Sequence, residues 1–96
     1  MQRHDSVQLF LTDRLVSLQA EQQRIGDRRE AMLDKLRRFE RMHSHLSLNP
    51  AHAERCNELM RRMLLTHAEL HALDQKMVRL RHAARAIHHE AGAASL

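Results

Sequence analysis

His67 and His71 sit four residues apart, the interval at which two imidazoles project from one face of a helix and can grip a single metal ion. His52 and Cys56 repeat the interval, and His43 could join them across a turn. Nine histidines in 96 residues justify the search. The ligand sets are incomplete, however. In His67-Ala68-Glu69-Leu70-His71 the glutamate stands one place too late for an H-E-x-x-H zinc helix, and Cys56 is the sole cysteine, so no further thiolate completes a structural site. Histidines on a helical interface face are more often packing residues, and the sequence predicts neither metal nor other cofactor.

Other chemistry finds less support. Nucleophilic catalysis needs a positioned base and an oxyanion site, and acid–base catalysis needs a cleft that shifts a pKa. Gly26 and Gly92 are isolated, so there is no glycine-rich phosphate loop. A thin pair of helices encloses no substrate, and no enzymatic activity is expected.

The elements that carry these residues are legible from a heptad pattern. Leu11, Leu15, Leu18, Gln22, Ile25, Arg29, Met32, Leu36, Phe39, His43 and Leu46 alternate at spacings of four and three. Cys56, Leu59, Met63, Thr66, Leu70, Leu73, Met77, Leu80, Ala84 and Ile87 follow the same rule. A mean repeat of 3.5 residues keeps one stripe against a neighbouring helix. The fold class is therefore all-α: two long antiparallel helices in a coiled-coil hairpin, completed to a four-helix bundle by a partner or a second copy. The chain reads as one domain, 1–96, with helix one over about 6–45, a turn at 46–49, helix two over about 50–90 and a frayed tail at 91–96. Asp5 or Ser6 would cap helix one, while Asn49 would cap helix two with Pro50 in its first turn. Gly26 should be a soft spot in a continuous helix, since the seam keeps phase on both sides of it; a three-helix chain broken there is the alternative. Pairing centred on residues 47 and 48 sets Leu36 by Leu59 and Met32 by Met63. It also puts Arg29 opposite Thr66 and Gln22 opposite Leu73, two polar layers that cost free energy unless they reach water or a partner.

Charge and composition narrow the partners. The formal charge is +4, but basic and acidic residues interleave, with pairs such as Asp34–Arg38 and Glu58–Arg62 four apart. A solvated, salt-laced face fits this better than a phosphate-binding stripe, and without Trp or Tyr there is no platform for stacking bases. No stretch approaches the roughly 20 apolar residues of a membrane span. The lone cysteine fits a reducing compartment, and a soluble, cytoplasmic protein is expected.

Helix two carries a second stripe beside its seam, formed by Ala53, Met60, Leu64, His67, His71 and Val78, whereas helix one offers only Val16 and Leu33. So wide a face exceeds what one partner helix covers. Met60, Leu64, His67, His71, Val78, Val16 and Leu33 are accordingly the expected partner-binding residues. Acidification would charge His67 and His71 on that face, and His43 and His52 in the seam, opposing burial.

The segment Asn49-Pro50-Ala51-His52-Ala53-Glu54-Arg55-Cys56-Asn57-Glu58-Leu59-Met60, opening a second helix after a charged and apolar first one, resembles the small hairpin chaperones of bacterial type III secretion. These include co-chaperones of needle subunits and chaperones of filament translocators. The likeness covers residues 30 to 90, and the first helix here is longer than in the needle co-chaperones. The resemblance implies a cytoplasmic protein that binds a secreted helical subunit, or a second chaperone, and prevents premature polymerisation of the client. Alone, such a chain should form a homodimer. Two other readings remain: a stable homodimeric coiled-coil structural or adaptor protein, and a small helical DNA-binding regulator.

Overall fold

A computed structural model describes residues 2–95, with side chains described for 6–93. Helix α1 spans Gln2–Leu46, a 3-10 turn covers Pro50–His52, and helix α2 spans Ala53–Ser95. The chain is an all-α helical hairpin, with no strand among the described residues. No helix in that range is long and apolar enough to cross a membrane.

The reversal follows from local chemistry. Asn49 is extended, and its Oδ1 accepts a hydrogen bond from the Ala51 amide at 3.0 Å. Pro50, which lacks an N–H and holds φ near helical values, then occupies the first turn at no cost to the ladder. The His52 amide bonds back to the Asn49 carbonyl at 3.0 Å, a tight 3-10 closure from which α2 continues.

Both helices outrun their expected ends. α1 is already helical at Gln2, so Ser6 lies within it rather than capping it; the Asp5 side chain lies outside the described residues. At the other end Ala91 and Ala93, strong helix formers, carry α2 through Gly92 to Ser95 instead of fraying. Leu96 lies outside the described residues.

α1 also passes through Gly26 without interruption. A Cβ placed on Gly26 would meet nothing within 4 Å, so the only consequences of adding one are helix propensity and a less disordered unfolded chain. Gly26→Ala should therefore raise the unfolding free energy by about 0.5–1 kcal/mol in urea titration. An unchanged midpoint would mean that residue 26 is not in a helix interior in solution.

The hairpin resolves into two compact units, Asp27–Asp74 around the turn and Met1–Gly26 with Gln75–Leu96 at the termini. In the turn unit, Met32, Leu36 and Leu70 form a buried cluster, with Leu33, Met63 and Leu73 packed against it. Cys56 and Leu59 are buried nearer the turn. In the terminal unit Leu11, Ile25 and Ile87 are buried, and the Gln8 side-chain amide donates to the Ala91 carbonyl at 3.2 Å, tying the helices together.

The polar layer expected in the turn unit resolves differently. Thr66 is buried, but its hydroxyl donates to the Arg62 carbonyl one turn back at 2.8 Å, so it needs nothing from across the hairpin. Arg29 is half-buried in the seam. Its long stem lets the guanidinium leave the seam and donate to Asp74 at 2.8 Å, near the surface. No buried side-chain nitrogen or oxygen lacks a partner among the described residues. Of the helix-surface pairs, Glu58–Arg62 forms at 3.2 Å, whereas Asp34 is taken by Arg37 rather than Arg38.

Candidate partner-binding surface

Met60, Leu64, His67 and His71 recur at intervals of four, three and four, which places them on one face of α2 within the turn unit. All four are exposed: Met60 retains 49% of its surface and Leu64 67%. Ala53 and Asn57 extend the same spacing toward the turn and are exposed as well. None of these six residues is Asp, Glu, Lys or Arg. In a chain with 29% charged residues, that is a surface a partner could cover without stripping water from a fixed charge, which would otherwise cost several kcal/mol per ion.

Charge is placed elsewhere in this unit. Arg28 approaches Glu69 at 3.7 Å and Arg29 reaches Asp74 at 2.8 Å, so both interhelix pairs spare the stripe residues themselves. Glu58 gathers Arg62 and Arg61. All these groups are solvent-exposed, and their contribution to stability is small. Their value here is to leave the Met60–His71 face neutral.

In the terminal unit Val16 and Val78 are exposed, as expected. Phe10 is exposed too, with the Arg14 guanidinium 6.0 Å from its ring centre. Glu21 accepts from Arg24 at 2.6 Å and from Lys76 at 3.0 Å. The hydrogen bond from Arg24, then that from Lys76, holds the Glu21 carboxyl below the usual glutamate range.

Leu33 departs from the expected surface. It is half-buried and packs on the Met32–Leu36–Leu70 cluster of the turn unit, unlike the exposed Met60, Leu64, His67 and His71. His52 is likewise not a seam residue: it lies exposed in the 3-10 turn, whereas His43 is half-buried. Cys56 is buried, and no three His, Cys, Asp or Glu side chains among the described residues are grouped to hold one metal ion, so His43, His52 and Cys56 do not converge.

Leu65, 65% exposed, was not among the residues singled out by the heptad pattern. Its neighbours Phe39, Lys35, Arg62 and Glu69 line a shallow groove with it. The signal was present in the Leu64-Leu65 pair, because adjacent helical positions differ by about 100° and cannot both join one stripe. Comparison of the chain with protein-family models, with curated proteins and with solved structures finds no match.

Proposed function

We propose that this protein is a non-enzymatic, helical-hairpin interaction module of the chaperone type, which receives an amphipathic helix of a client protein. The observation that carries the reading is an imbalance of apolar groups. Among the described residues eight hydrophobic side chains are buried, while ten large ones are exposed, including Met60 and Leu64 on a face without fixed charge. A helix laid against that face would bury apolar surface at roughly 25 cal/mol per Å². Met60 suits it to a client of irregular shape, since the unbranched thioether adapts to what it meets.

The resemblance of residues 49–60 to type III secretion hairpin chaperones supplies the client class: a secreted helical subunit held back from premature self-assembly, in the cytoplasm. The free thiol of Cys56 is compatible with that compartment.

The test is the protein isolated from its native host. We expect an intact-mass measurement to find it with a second polypeptide, and the recombinant chain alone to melt broadly at low temperature. Saturating with that polypeptide at about 100 times its Kd adds roughly 2.7 kcal/mol, or 10–20 °C in Tm for a chain of this size. A homodimer that is already stable, and whose Tm the polypeptide leaves unmoved, would replace the chaperone reading with that of a structural coiled coil.

A further inference from the structure

We propose that His67 and His71 form a bidentate site for one divalent transition-metal ion, copper(II) foremost. The two are exposed on one face of α2 in the turn unit. Side chains at this spacing start about 5–6 Å apart at Cβ, and imidazoles from two such positions can turn their ring nitrogens onto an ion at about 2.0–2.1 Å from each. Neither ring is engaged in a hydrogen bond or ion pair, so no contact has to break before an ion is held.

The surroundings favour a cation over competing uses of the rings. Leu64 and Ala68 beside them are uncharged, and Arg28 and Arg29, which reach α2 in this unit, are paired with Glu69 at 3.7 Å and Asp74 at 2.8 Å. Asp74, one turn beyond His71, is committed to that pair and is not counted as a ligand. With no third ligand grouped there among the described residues, two coordination positions belong to the protein and the rest to water. An open two-nitrogen site of this kind discriminates by intrinsic affinity rather than by an imposed cage, which ranks copper(II) above nickel(II) and zinc(II). Because both ligands belong to one helical turn, the bound ion also staples α2, so metal affinity appears as helix stability. The two rings also lie on the face proposed to receive a client, so the inference concerns the chain without one, and its test is run on the chain alone.

The experiment is calorimetric titration of the full chain with copper(II), then nickel(II), in a non-chelating buffer, with a thermal melt at each saturation. Nine histidines make background binding certain, so the deciding variant keeps their number. His71→Ala combined with Ala72→His moves the second imidazole to a spacing that cannot share an ion with His67, at a position that is itself exposed. The expected result is one tight equivalent and a raised Tm in the natural chain, with affinity falling about 10- to 100-fold and the Tm shift lost in the variant, since the second ligand no longer binds at high effective concentration. His71→Gln should behave the same way and guards against a folding defect in the double variant. Equal affinity in all three proteins, or no equivalent that raises the Tm, overturns the proposal and leaves only scattered binding by single histidines.

Discussion

Leu70→Ala should lower the unfolding free energy by about 2–4 kcal/mol and strip much of the helical circular dichroism at 37 °C. Leu70 retains only 8% of its surface and completes the buried cluster with Met32 and Leu36. Truncation removes three carbons from a contact that two helices share, and a hairpin has no third layer to move into the space. Leu33, Met63 and Leu73 border the cluster and can relax into part of it, which is why the expectation stops short of the 5 kcal/mol limit of such substitutions. Folded domains are stable by only about 5–15 kcal/mol, and a two-helix chain expected to melt at low temperature on its own lies at or below the foot of that range, so a loss of this size decides whether the hairpin is folded at physiological temperature. Leu65→Ala is the matched control. It deletes the same atoms five positions earlier, from a side chain that is 65% exposed, and should change stability by no more than about 0.5 kcal/mol. Equal costs at the two positions would mean that the inward face of α2 has been misassigned.

That contrast also marks how far the sequence could be read. Every residue of the two heptad seams is buried or half-buried, from Leu11 to Leu46 and from Cys56 to Ile87, because a 3.5-residue repeat leaves no other face for so many apolar side chains. The polar seam members were harder. Thr66 stays buried by bonding to its own helix, and Arg29 swings to Asp74, outcomes decided by side-chain reach and rotamer rather than by spacing. Leu33 was ambiguous for a geometric reason: an ideal helix drifts by about 20° per heptad against a 3.5 repeat, so a flanking position can face solvent in one turn and the core in another. The helix ends were illegible for want of a stop signal. Ser6 is a competent cap but also a tolerable helix residue, and the alanines after Glu90 favour continuation over the breaking effect of Gly92.

Met60→Asp with Leu64→Asp should leave the helical signal intact and weaken client binding by about a thousandfold. The first half follows from exposure. Both side chains stand outside the seam, at 49% and 67%, so a carboxylate at either position keeps its water in the free protein. The second half follows from what a partner must then do. Covering the stripe would strand two carboxylates against apolar surface, while removing the anchors that such an interface centres on; about 2 kcal/mol for each anchor compounds to roughly a thousandfold in Kd. Leu65→Asp separates this face from its neighbour. It introduces the same charge at an exposure of 65%, beside Arg62 and Lys35 and off the stripe, and should leave Kd within about threefold, since charges at the rim of an interface contribute little. Binding by fluorescence anisotropy of the labelled client, with circular dichroism on each variant, reads both quantities. If the double variant binds as the natural chain does and Leu65→Asp does not, the client lies across the Phe39–Leu65 groove, and the neutral face of α2 is left for another use.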